Sequence, residues 1–136
     1  MDDYVLKQLI NGLAIGSIYA LIAVGYNMVY GMLELINFAH GDVFMVGAFT
    51  SFYAISSLNI YRWPAQVWPG MPEGAVMVLG TVSVILVAMA VSASLAVIVE
   101  RFAYRPLRDK PRIAALITAI GVSFFLEYFG GLPFAH

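Results

Sequence analysis

Charge is what this sequence has least of. Only 11% of its 136 residues are Asp, Glu, Lys or Arg, against about 25% in a soluble domain. Hydrophobic residues make up 62%, well above the roughly 45–50% of a soluble domain. A water-facing exterior cannot be built from that balance, and acyl chains are the solvent that removes the conflict. Cysteine is absent, which excludes disulfides and thiolate-ligated metals. A formal net charge of -1 leaves nothing to attract nucleic acid. The two histidines, His40 and His136, are far apart. Gly-rich phosphate loops, a serine nucleophile elbow and metal-spaced clusters are missing too. The expectation is therefore a chain that is not an enzyme, with no metal and no cofactor, unable to hydrolyse ATP by itself.

What is present is a series of uncharged runs. Gln8 to Leu33 and Gly74 to Val99 contain 26 residues each, and Val43 to Tyr61 contains 19. At about 1.5 Å per residue these reach roughly 39 Å and 28 Å, close to or beyond a hydrocarbon core of about 30 Å. A fourth run, from Ile113, meets Glu127 after 14 residues and continues through Tyr128, Phe129, Gly130 and Gly131. The expected fold class is all-α, a polytopic transmembrane protein with three to four spans at about 8–33, 43–61, 74–99 and 113–131. The first run opens on the acidic Asp2-Asp3 and exceeds the apolar core of a signal peptide, so it reads as a retained helix.

Lys and Arg set the expected sidedness. Lys7 and Arg62 lie on one side, while Arg101, Arg105, Arg108, Lys110 and Arg112 lie on the other. The loop Glu100 to Arg112 is thus expected in the cytoplasm and the N-terminus outside. Tyr61, Trp63 and Trp68 suit an external aromatic belt. This arrangement also puts Glu34 to Asp42 in the cytoplasm, although that segment has no Lys or Arg. The basic loop reads as a topology anchor and, through Arg101, Arg105, Arg108 and Arg112, as a contact for a cytoplasmic partner. Its two prolines are expected to end one helix and begin the next.

Two segments stand out for polarity. At about 100° per residue, Gly12, Gly16, Tyr19, Ala23, Asn27, Tyr30 and Glu34 fall within an arc of about 80°. Gly12, Gly16 and Ala23 permit close helix approach. The stripe is a packing seam, or its inner end at Asn27, Tyr30 and Glu34 lines a translocation path, since polar groups in a bilayer are costly and tend to be functional. The second segment, Glu34 to Asp42, joins two apolar runs with two acids, Asn37, His40 and Gly41. Asp42 is placed to cap a helix starting at Val43, and Gly41 to loosen the joint. A plain solvated turn is the alternative to a role for Asn37, His40 or Asp42 in a pathway. The third run carries Gly80, Ser83, Ser92 and Ser94, small residues that favour tight helix contacts.

Two stretches carry a family resemblance: NGLAIGSIYALIAVGYNMVYGMLELINFAHGDVFMVGAF, from Asn11 to Phe49, and ERFAYRPLRDKPRIAALITAIGVSFFLE, from Glu100 to Glu127. Together and in register, they resemble the permeases of branched-chain amino acid ABC importers, of the LivH type. The resemblance implies a multi-pass subunit of the bacterial inner membrane that corresponds to the N-terminal portion of a larger permease. It implies as partners a second homologous permease, cytoplasmic ATP-binding subunits and a periplasmic substrate-binding protein, with the membrane lipid around them. The implied substrates are branched-chain amino acids, or related small amino acids and amides. Asn37 to Asp42 matches a motif of that family, whose role the resemblance does not supply. A secondary transporter driven by an ion gradient and a non-transporting membrane scaffold are the rival readings of the residues.

Overall fold

The computed structural model describes residues 1–34 and 37–132, and every regular element among them is helical. Leu35 and Ile36, within the polar break, and His136 lie outside the described residues. Five α-helices follow one another: α1 (Asp2–Leu33), α2 (His40–Ser56), the short α3 (Trp63–Val67), α4 (Glu73–Val99) and α5 (Arg112–Gly131). Three helical stretches are long and apolar enough to cross a membrane. A fourth span results if α2 and the segment Ile60–Val67, bent from it by 60°, count as one. The expected three to four spans are there.

Lipid explains why these sequences are helical despite many β-branched Val and Ile residues. In a bilayer every backbone polar group must find its partner within the segment, so the helix is favoured over intrinsic propensity. Hydroxyl side chains obey the same demand. Those of Ser17, Thr50, Ser51, Thr81, Ser94 and Thr118 each donate to the carbonyl four residues earlier, at 2.7–3.0 Å. They leave no unmet donor facing the acyl chains.

The uncharged run 43–61 is not one helix. α2 stops at Ser56, where Ser56, Ser57 and Asn59 offer side chains that compete for backbone partners. Asn59 then adopts a left-handed conformation, φ 47°, which Asn tolerates better than most residues. A 3₁₀ turn, Ile60–Arg62, leads into α3, with a proline at its start. That proline, Pro64, is fully buried.

The basic loop is mostly helix as well. α4 passes without interruption into a π-helical turn, Glu100–Tyr104, and a 3₁₀ turn, Arg105–Leu107. The continuous stretch Glu73–Leu107 has 35 residues, about 52 Å at 1.5 Å per residue, so it outreaches the hydrocarbon core. Pro106 sits inside the 3₁₀ turn, where its missing N–H costs little, and Pro111 is the cap of α5.

Packing centres on α2 against α4, with α3 and the turn before it on the same helix. Small residues of α4 make this possible. A Cβ at the buried Gly80 would overlap the Tyr61 carbonyl oxygen, so only glycine lets the bent segment lie there. Ser92 sits where a Cβ on Gly47 of α2 would fall 2.7 Å from its hydroxyl. Ser83 accepts the indole N–H of Trp63 at 2.7 Å. Ser94, by contrast, returns to its own helix at Ala90.

Candidate functional site

Polar side chains gather where the end of α1, the start of α2, the α4 continuation and the start of α5 meet. Asn37 is the hub. Its side-chain oxygen accepts the Ala39 backbone N–H at 3.1 Å, closing a tight turn before α2. The same oxygen accepts the Tyr104 phenol at 2.7 Å. Glu34 ends α1 in a left-handed conformation, φ 52°, with its backbone N–H on the Tyr30 carbonyl at 2.8 Å. Its carboxylate receives Arg112 at 3.0 Å. The basic residue absent from Glu34 to Asp42 is thus supplied by α5, across 78 positions of sequence.

Asp42 does not cap α2. The helix starts at His40 with Ala39 as its cap residue and no side-chain capping bond. Asp42 therefore lies inside the first turn, and its carboxylate accepts the hydroxyl of Ser123 on α5. Gly41 is helical too, so the joint does not use its freedom. His40 stands edge-on to the Tyr26 ring at 4.5 Å between centroids. A Cβ at Gly25 would approach its Nε2 to 2.6 Å, so this glycine admits the imidazole.

The other expected residues lie differently. Asn27 and Tyr30 are exposed, and the contact face of α1 carries Gly25 and Tyr26 instead. Gly12, Gly16 and Ala23 are exposed as well, and a Cβ at Gly12 or Gly16 would meet nothing within 4 Å. Among the described residues, α1 meets the other helices near its C-terminal end, through Gly25, Tyr26 and Glu34. Arg101 and Arg105 are exposed and make no ion pair among the described residues, whereas Arg108 binds Glu100 at 2.8 Å.

Tyr104, Ser123 and Tyr26 were not legible as site residues. Tyr26 and Ser123 are ordinary residues of apolar helices, and Tyr104 an ordinary residue of the basic loop, until their partners are known. Among the described residues no three His, Asp or Glu side chains come together as a metal would require. What the cluster can do is mechanical. The part-buried ties Asn37–Tyr104 and Asp42–Ser123 fix the segment around the start of α2 against the α4 continuation and the middle of α5. The solvent-exposed Glu34–Arg112 pair adds little.

Comparison with known proteins adds identity to this geometry. Residues 8–135 match the family described as "Branched-chain amino acid transport system / permease component". The chain is 45% identical over 130 residues to the high-affinity branched-chain amino acid transport system permease protein LivH of Escherichia coli (strain K12). It is 43% identical over 130 residues to the LivH protein of Salmonella typhimurium (strain LT2). It is 43% identical over 122 residues to the permease protein BraD of Pseudomonas aeruginosa. These alignments cover 95%, 95% and 90% of this chain, but 38%, 38% and 36% of the relatives. No solved structure shows a significant match.

Proposed function

The chain belongs to the family of branched-chain amino acid transport permeases, and from that premise we propose that it contributes helices to the membrane pathway of an ATP-driven importer. It is a multi-pass protein of the bacterial inner membrane. The substrates in this reading are branched-chain amino acids or related small amino acids and amides. The match along nearly the whole chain, residues 8–135, carries the reading.

The partners in this proposal are a second homologous permease, ATP-binding subunits in the cytoplasm and a periplasmic substrate-binding protein. Arg101 and Arg105, exposed on the α4 continuation and free of ion pairs among the described residues, support a contact with the cytoplasmic subunits. Arg108 and Arg112 flank the same surface. The pathway residues proposed are Asn37, His40 and Asp42, with Glu34 at its mouth and Asn27 and Tyr30 one to two turns deeper on α1. Their cost in a bilayer argues for use. The ties from Asn37 to Tyr104 and from Asp42 to Ser123 support a path wall whose parts move together.

The test is uptake of labelled leucine into liposomes holding the complete permease assembly with its ATPase and binding protein. Uptake that follows internal ATP is expected. Uptake that follows an imposed proton or sodium gradient without ATP would replace this reading with a secondary transporter.

A further inference from the structure

Between the α4 continuation and the first turns of α5 lies a cleft of about 280 Å³. Its rim carries Arg108, Lys110 and Arg112 beside the Glu100 carboxylate, and its α5 wall runs inward along Ala115, Leu116 and Ala119. Asn37 and Tyr104 of the polar cluster complete the opposite lining. We infer that this cleft binds the phosphodiester headgroup of an anionic phospholipid, with the start of an acyl chain along the α5 wall.

The charge balance fits one phosphodiester. Arg108 is paired with Glu100 and Arg112 with Glu34. Lys110 makes no ion pair among the described residues, and Asp109 is not part of the lining. One positive charge is therefore left over at the rim. Both existing pairs are open to solvent, with side-chain exposures of 68% and 42% for Arg108 and Glu100, and 75% and 73% for Arg112 and Glu34. Such pairs are weak, so either arginine can share its donors with a phosphate. Backbone bonds from Arg108 to the Arg105 carbonyl at 3.4 Å and from Lys110 to the Leu107 carbonyl at 3.0 Å hold these cations in an ordered turn.

The wall distinguishes a lipid from free phosphate. From Arg112 to Ala119 is seven residues, about 10 Å along the helix. Over that depth the α5 side of the lining passes from guanidinium to methyl and isobutyl groups. Inorganic phosphate has no use for such a wall, whereas an amphiphile does. Basic pockets between spans at the cytoplasmic face are suited to anionic headgroups. Arg101 and Arg105 are not in the lining, whereas Arg108 and Arg112 are shared between the cleft and the proposed subunit contact.

Native mass spectrometry of the full chain, released from micelles with equal phosphatidylglycerol and phosphatidylcholine, tests the assignment. Phosphatidylglycerol is expected to be retained in preference. Lys110→Ala, which breaks no ion pair, should lower that retention about fivefold, from the typical worth of one basic residue near an anionic surface. Lys7→Ala, remote in sequence, should leave it unchanged. Millimolar inorganic phosphate should not displace the lipid. Equal retention of the two lipids, an equal effect of Lys7→Ala, no effect of Lys110→Ala, or displacement by phosphate each overturns the inference.

Discussion

The Tyr104 phenol donates to the Asn37 side-chain oxygen at 2.7 Å, joining residues 67 positions apart. Asn37 also holds the turn into α2, so one atom links the geometry of that turn to the long helix α4. Tyr104 lies in the π-helical turn, and π-turns recur at functional positions because they re-aim side chains.

Tyr104→Phe removes only the donor. The Asn37 oxygen keeps its bond to Ala39, so the loss should be modest, about 0.5–1.5 kcal/mol. Denaturation of the purified chain in mixed micelles measures it, and an unchanged midpoint would show that the bond holds nothing.

Gly80 and Gly12 should respond in opposite ways. Gly80→Ala drives a methyl into the Tyr61 carbonyl and should cost about 1–3 kcal/mol. Gly12→Ala meets open space and should be neutral or slightly stabilising for the chain, through helix propensity. If Gly12 and Gly16 form a seam with another subunit, Gly12→Leu with Gly16→Leu should leave the chain folded yet reduce co-purification of the second permease. Co-purification at the original level would remove the seam.

Asp42→Ala takes away a charge-assisted bond between α2 and α5. Such bonds are worth about 1.5–3 kcal/mol, so the chain should lose stability of that order in mixed micelles, and uptake by the assembled importer should fall while membrane insertion persists. Ser123→Ala should reproduce part of the defect. Asn27→Leu, on the exposed face of α1, tests the pathway role of that face by the same assay. Normal uptake in Asp42→Ala and Asn27→Leu alike would end the pathway proposal for both residues.

Sidedness can be checked directly, because the chain has no cysteine of its own. A cysteine placed at Asp109 should react with an impermeant maleimide only after cells are opened. One placed at Gly70 should react in intact spheroplasts. Labelling in the reverse order would invert the topology.

The membrane solvent, the helical class and the grouping of the two polar segments at one end could all be read from residue order. Absence of charge over 19 or 26 residues leaves no alternative to lipid, and counting Lys and Arg pairs the ends of successive spans. The family resemblance was equally legible, since it lies in the residues themselves. The polar pairings were not. The packing face of α1 depends on its rotation, and adjacent residues such as Tyr26 and Asn27 point about 100° apart. Asp42 looked like a cap because the start of α2 could not be placed to within three residues, and helix ends are the least defined part of any such reading.

Sequence by itself determined where this chain must sit, because burying or exposing an uncharged run is a question of solvent that each segment answers alone. Only the tertiary structure decided that Asn37 meets Tyr104, that Glu34 meets Arg112 and that Asp42 meets Ser123. Those contacts depend on the relative rotation and offset of separate helices. Both are set by the packing of small residues such as Gly80 and Gly47 against their neighbours, which no single segment contains.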